Sequence, residues 1–208
     1  APTSVVVVGA GTVGTGAIRR TVGMGARVTA VDMNVDRLRY LEDIFMGKIQ
    51  TIYSNRYNLH QAISQADLVI GAVLIPGGRA PKVVTEEMVK SMEPGSVIID
   101  VAIDQGGCIE TMDRTTTHAE PIFKKYGVLH YAVPNMPGAV PRTSTLALTN
   151  ATLPYMVKIA NKGFKRAVSE DKALAKGVNL LNGKITCAAV AKSHNLPYTP
   201  LEEVLPEI

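Results

Sequence analysis

The amino end constrains the fold more than any other stretch. Val5 to Val8 form an unbroken β-branched run that stops in Gly9-Ala10-Gly11-Thr12-Val13-Gly14. A continuous apolar strand of this kind needs cover on both faces, which crossover helices give a parallel sheet. A helix is expected to follow to about Met24. Arg27 to Asp32 then reads as a second strand, Val35 to Phe45 as an amphipathic helix with Leu38, Leu41 and Phe45 inward, and Ile49 to Tyr53 as a short third strand. This is a βαβαβ unit.

The alternation continues with a helix around Leu59 to Gln65, a buried strand from Asp67 to Val73 and a Pro/Gly loop from Pro76 to Pro81. Thr85 is placed to cap the next helix, with Glu86 and Glu87 in its first turn favouring the helix dipole. Pro94-Gly95 ends that helix, and strands follow at Val97 to Ile103 and Val128 to Val133. Six strands with intervening helices predict an α/β, doubly wound parallel sheet of the Rossmann type. Asp104 to Gly127 is expected to hold only loop and short helix. From Thr143 onward the strand signal stops: Thr143 to Asn161, Ser169 to Ala175 and Lys184 to His194 read as helices, with Pro154 allowed only at a kink or near a first turn. The expected division is residues 1–141 for the sheet domain and 142–208 for a helical segment. The chain has no initiator Met and its first strand begins at once, so it is expected to be a domain of something longer.

Composition narrows the function classes. With 46% hydrophobic and 19% charged residues the chain can bury a core and does not read as disordered. The net charge of +4 raises nucleic acid as a partner, but residues 1–150 carry 14 Lys and Arg against 13 Asp and Glu, so most of the excess lies in the tail. There Lys158, Lys162, Lys165, Arg166, Lys172 and Lys176 follow helical intervals without interleaved aromatics, which favours a solvated helix face over a phosphate-binding patch. Nucleic acid is not an expected partner. No run of eighteen apolar residues or signal sequence is present, so no membrane association is expected. Cys108 and Cys187 belong to no CxxC or Cys/His cluster; this fits a reducing cytoplasm and no metal site.

Alone, GxGxxG is a weak signal; its place between a buried strand and a helix strengthens it, as does Asp32, 18 residues past Gly14 at the end of the second strand. Gly9 permits a tight turn, Gly11 lets backbone approach a pyrophosphate, and Gly14 lets the helix pack on the sheet while its first amides face the phosphates. This geometry suits a dinucleotide. The Asp32 carboxylate can accept both adenosine ribose hydroxyls and would repel a 2′-phosphate, favouring NAD over NADP. The competing readings are an Asp that caps the helix near Asn34 and a glycine loop that is only structural.

Asp104 lies just past the fifth strand, where open α/β sheets place ligands, and is the candidate reacting group; its alternative is a turn residue ahead of Gly106-Gly107. Asp100, inside an apolar run, reads as a structural acid. His130 reads as a half-buried sheet residue and His118 as a loop residue able to cap or line a cleft. GxSxG, HExxH and GK[ST] signatures are absent, which argues against hydrolase and NTPase chemistry. The Tyr-x3-Lys pair of short-chain dehydrogenases is absent too, because Tyr155 and Lys158 are three apart.

Longer strings carry a more specific signal: VVGAGTVG (7–14), GMGARVTAVDMN (23–34), ADLVIGAVLIPGGRAPKVVT (66–85), IIDVAIDQGGC (98–108), THAEP (117–121) and NMPGAVPRTSTLALTNATLPY (135–155). Over nearly its whole length the chain resembles the NAD-binding and C-terminal portion of the alanine dehydrogenase family, which includes the NAD-binding subunit of proton-translocating transhydrogenase. The resemblance implies NAD-dependent, reversible oxidative deamination of L-alanine to pyruvate and ammonia, with Asp104 as a catalytic acid/base or water-orienting group. It further implies cofactor contacts from the loop Gly9, Gly11, Thr12, Val13 and Gly14, from Asp32 and Arg37 at the adenosine and Ser54 near adenine. Val73 and Leu74 along the cleft, Val101, Asp104, Arg114, and Val133 with Asn135 and Met136 near the nicotinamide complete the set. Without the resemblance, Arg37 reads as a solvated helix residue and Val73 and Val101 as core. It implies as well a homo-oligomer and a substrate domain not among these residues, supplying a Lys, an Arg and a catalytic His. The exposed face of Leu146, Leu153, Met156 and Val157 would then seek that partner. The transhydrogenase subunit and a catalytically silent NAD-binding module stand as alternatives.

Overall fold

The strand that opens the chain is buried along almost its whole length: Val5 to Val8 are each 2% exposed or less. The computed structural model describes residues 1–207 and divides into two compact units, residues 1–75 with 79–136 and residues 76–78 with 137–208.

The first unit contains β1 (Ser4–Val8), α1 (Thr12–Gly23), β2 (Arg27–Asp32), α2 (Val35–Phe45), β3 (Gln50–Tyr53), α3 (Arg56–Ser64), β4 (Leu68–Gly71), α4 (Glu86–Lys90), β5 (Val97–Asp100), β6 (Ile122–Lys125) and β7 (Val128–Tyr131). The sheet order is β3-β2-β1-β4-β5-β7-β6. Six strands run parallel, as expected for a doubly wound sheet, and β6 adds an antiparallel edge. Each face of β1 has its own cluster. Val6 and Val8 join Val31, Val69, Leu59, Ile63 and Met88; Val5 and Val7 join Ala30, Ile18, Leu41 and Phe45. Two-sided cover explains why β1 has no polar alternation.

The caps lie where their side chains suggest: Asn34 accepts from Arg37 N, Asn55 from Asn58 N and Thr85 from Met88 N. Three expectations in this unit need correction. The loop expected from Asp104 to Gly127 contains β6, whose Phe123 pairs with His130 across a hairpin turned by Tyr126 and Gly127, both with positive φ. The fifth strand stops at Asp100 because that carboxylate turns back on the following loop. His130 is fully buried.

The second unit is built from α5 (Pro141–Lys162), α6 (Phe164–Glu170), α7 (Lys172–Gly177), β8 (Leu180–Leu181), β9 (Lys184–Ile185), α8 (Ala188–His194) and α9 (Leu201–Val204). Proline at the start of α5 costs no intrahelical bond, and the helix continues through Pro154 instead of ending there. The single expected helix at 169–175 is two, broken at Asp171, whose side chain caps the second through Ala173 N and Leu174 N. Lys184 to His194 is not one helix: β8 and β9 form a hairpin around Asn182-Gly183, both with positive φ, and α8 begins only at Ala188. Leu146, Leu153, Met156 and Val157 are all exposed. Among the described residues no helix is long and apolar enough to cross a membrane, and no group of three or more His, Cys, Asp or Glu could hold a metal.

Candidate cofactor site

The order of the strands puts β1 between β2 and β4, so the connections that leave β1 (to β2) and β4 (to β5) run in opposite directions and a crevice opens at the carboxyl ends of this pair. The glycines there answer to different demands. Gly9 has φ +98°, and a Cβ on it would lie 2.6 Å from Ala72 O. A Cβ on Gly14 would lie 1.8 Å from Gly9 O. Gly11 has φ −65°, and a Cβ there would meet no protein atom within 4 Å. Packing therefore requires Gly9 and Gly14, whereas Gly11 keeps a space open. Beside it begins α1, 12 residues long, without a side-chain cap and without an acidic residue in its first turn. Its first N–H groups have no intrahelical partner, and the helix dipole makes that end positive. The cradle suits a diphosphate.

Asp32 ends β2 beside this turn. Its Oδ2 accepts from Ala10 N at 2.7 Å and its Oδ1 from Asn34 N at 2.8 Å. The helix cap belongs to Asn34 itself, so Asp32 instead ties the glycine turn to the second strand, with lone pairs to spare on both oxygens. Arg37 reaches back along the same turn, donating from Nε to Ala10 O at 2.7 Å and from Nη2 to Thr15 Oγ1 at 2.6 Å, with its guanidinium over Tyr40. Ser54 N donates to Asp32 O at 2.9 Å. The glycine turn, Asp32, Arg37 and Ser54 thus form one connected group.

On the other side of β1, Val73 and the exposed Leu74 leave the end of β4, and Val101 N donates to Gly71 O at 2.8 Å. Asp104 sits exposed on a single 3-10 turn, Ile103–Gln105, and both its oxygens lie 3.2 Å from Asn135 N. Two expected site residues from separate segments therefore meet. Asn135 holds φ +50°, a conformation Asn tolerates better than most side chains. Val133 is buried and Met136 half-buried. Arg114 is not brought into either group: it lies over the Phe123 ring at 4.5 Å, on the edge strand, 3.4 Å from Asp113. Phe123 in turn stacks on His130, whose Nε2 is 2.8 Å from Thr111 Oγ1; burial lowers the His130 pKa. His118 is exposed in its loop.

Two residues near Asp104 were not singled out as site residues. Asp100 is fully buried and accepts from Ala102 N (3.0 Å), Cys108 N (2.8 Å) and Ile109 N (3.1 Å), with the Cys108 thiol at 3.6 Å. Burial raises its pKa against the pull of those donors. Burial, and then the Asp100 charge, push the Cys108 thiol up to about 12, leaving it an unreactive neighbour. Lys82 Nζ donates to Gly106 O at 2.6 Å and Ile109 O at 3.1 Å. The apolar run around Asp100 marks it in the sequence as a structural acid, in keeping with its burial, whereas nothing in the local sequence marks Lys82. Gln105 Oε1 is buried without a partner among the described residues. A separate groove of about 720 Å³ opens at the amino ends of β1 to β3, lined by Arg27, Lys48, Gln50 and Gln61 among others; none of the expected site residues lines it.

The family described as alanine dehydrogenase/PNT, C-terminal domain, matches residues 1–188. The alanine dehydrogenase of Methanococcus maripaludis is 63% identical over 206 residues, 99% of this chain and 55% of that protein. A solved L-alanine dehydrogenase superposes with TM-score 0.82 at 50% identity, covering 93% of this chain and 53% of the other. The transhydrogenase from Sinorhizobium meliloti is more distant: TM-score 0.62 and 31% identity, covering 70% and 41%. The chain spans about half the length of the relatives it matches. On this agreement of sequence and fold, the chain belongs to the alanine dehydrogenase/PNT family, whose C-terminal domain it carries.

Proposed function

We propose that this chain is the cofactor-binding part of an NAD-dependent L-alanine dehydrogenase. The open cradle at Gly11, between the unpaired first turn of α1 and the Asp32 carboxylate, is the observation that carries the reading. The amides of residues 11–14 hold the pyrophosphate, and Asp32 accepts from the adenosine ribose hydroxyls while its charge disfavours a 2′-phosphate. Arg37 braces the turn from behind and Ser54 borders the adenine. Val73, Leu74, Val101, Val133, Asn135 and Met136 border the path toward the nicotinamide, with Arg114 as a further contact. When bound, NAD supplies the acceptor for the hydride on the alanine Cα. Asp104 handles the proton, or orients the water, in the hydrolysis that yields pyruvate and ammonia.

The kinship at 63% identity favours alanine over the transhydrogenase reaction. We place the cofactor domain at 1–141 and the helical segment at 142–208. The remaining half of the enzyme supplies the substrate-binding groups and covers the exposed face of α5, in a cytoplasmic homo-oligomer. NADH fluorescence titration of the chain tests the cofactor assignment. Asp32→Ala should weaken NAD binding about tenfold and relax the exclusion of NADP; an unchanged preference removes Asp32 from the ribose. The isolated chain should oxidise alanine only when the substrate domain is added, and turnover by the chain alone at the rate of an intact enzyme contradicts that division.

A further inference from the structure

The loop that presents Asp104 is held from two sides by opposite charges. Between the end of β5 and Ile109 the chain must reverse, which leaves amides and carbonyls without sheet partners. Asp100 collects three of the amides, from Ala102, Cys108 and Ile109. Lys82, on the segment leading to α4, collects two of the carbonyls, Gly106 and Ile109. Gly107 lies between them with φ +72°: a Cβ there would sit 2.7 Å from Asp100 Oδ2 and 3.3 Å from Lys82 Nζ. Backbone bonds from Ala80 N to Gln105 O, and from Val83 N to Cys108 O, run beside the lysine. Asp104 occupies the middle of the stretch so fixed, and its carboxylate meets Asn135 N.

We propose that Lys82 and Asp100 are positioning residues for Asp104: the carboxylate gathers the loop's donors, the ammonium its acceptors, and together they keep Asp104 on the Asn135 amide. The assignment rests on the reading of Asp104 as the proton-handling group. Neither residue needs to touch substrate or cofactor. A neutral isostere cannot replace Asp100, because an amide nitrogen on either side of the group would face a backbone N–H. Lys82 acts as a donor to carbonyls, a role an arginine can fill and a methionine cannot.

The test is the pH titration of the Asn135 backbone amide by NMR in the 15N-labelled chain, with NADH titrated into the same samples. In the unaltered chain the Asn135 resonance, whose N–H meets both Asp104 oxygens, should respond to pH, and Asp104→Asn should abolish that response. Lys82→Met should reduce the response severalfold while resonances of Val6 to Val8 in β1 stay in place; Lys82→Arg should restore it. Gly107→Ala, which drives a methyl group between the two charges, should act like Lys82→Met by a different route. An Asn135 titration that survives both Lys82→Met and Gly107→Ala overturns the proposal, as does failure of arginine to rescue. A merely structural lysine would move β1 and Asn135 together, which overturns it too. If the unaltered chain fails to bind NADH, the functional reading fails while the Asn135 experiment keeps its meaning.

Discussion

Two loops leave the carboxyl ends of strands in the same sheet and solve the same problem in opposite ways. The turn after β1 is made of glycine and is largely bare of side chains, and it leaves the first amides of α1 unspent. The loop after β5 spends its amides internally, on Asp100, on Ala102 O and on Ile103 O, and leaves a carboxylate, Asp104, in the open. One loop offers donors to a ligand and the other an acceptor. A diphosphate is suited to the first and a proton-bearing group to the second, so a cofactor's charge and a substrate's proton can be handled by two strands of one sheet, with β4 between them, without competing for the same atoms.

The contrast can be broken most severely at Gly14. A Cβ placed 1.8 Å from Gly9 O forces α1 away from the turn, so Gly14→Ala should cost about 3 kcal/mol of stability despite alanine's better helix propensity, as read from urea unfolding, and should abolish NADH binding. Next comes Asp100→Ala. It leaves three buried N–H groups without an acceptor and should cost about 2–3 kcal/mol; relief from burying the charge offsets part of the loss. NADH affinity should fall less than with Gly14→Ala, because the donor loop is untouched. Equal losses of binding would mean that the two loops are not independent.

Gly11 sharpens the comparison in the other direction. Its φ of −65° suits any residue and no protein atom would meet its Cβ, so Gly11→Ala should change stability by no more than about 0.5 kcal/mol. NADH affinity should nevertheless drop about tenfold, because the methyl group occupies the space over the amides. A variant that unfolds as the parent does and binds NADH equally well would show that the cradle is not where the pyrophosphate rests.

These glycines also show what a sequence can and cannot disclose. The turn after β1 was legible because its determinants are contiguous: a β-branched run, three glycines at fixed spacing and an acid at the end of the next strand. α2 was legible for the same reason, its period placing Leu38, Leu41 and Phe45 inward. The Asp104 to Asn135 contact joins segments 31 residues apart, and only the likeness to a known family placed both residues in one site. Lys82 had no local signature, since its partners are backbone carbonyls 24 and 27 residues away. The hairpin at Leu180 to Ile185 did have one, Asn182-Gly183 between Leu180-Leu181 and Lys184-Ile185, which is a two-residue turn signal. There the helical spacing after Lys184 outweighed it.

Asp100 in the first unit and Glu170 in the second should also answer pH with opposite slopes, though this is the smallest of the expected effects. Burial raises the folded pKa of Asp100 above its unfolded value. The native state therefore holds that proton more tightly, and the contribution of Asp100 to stability grows as pH falls through its folded pKa and diminishes as pH rises through it. Glu170, in the second unit, is the reverse case. Hydrogen bonds from Arg166, at 2.7 Å, and from Lys162 draw its pKa down from 4.5 to about 2. Its stabilisation is present above the unfolded value of 4.5 and is lost as pH falls toward about 2. Solvent screens such exposed pairs, so the effect on melting is modest. Thermal melts of the parent and Glu170→Gln should therefore differ most near neutrality, converge as the medium approaches about pH 2, and lose part of their difference in high salt. A gap that widens on acidification would mean that Glu170 stabilises α5 and α6 in its protonated form, against the ion pairs that surround it.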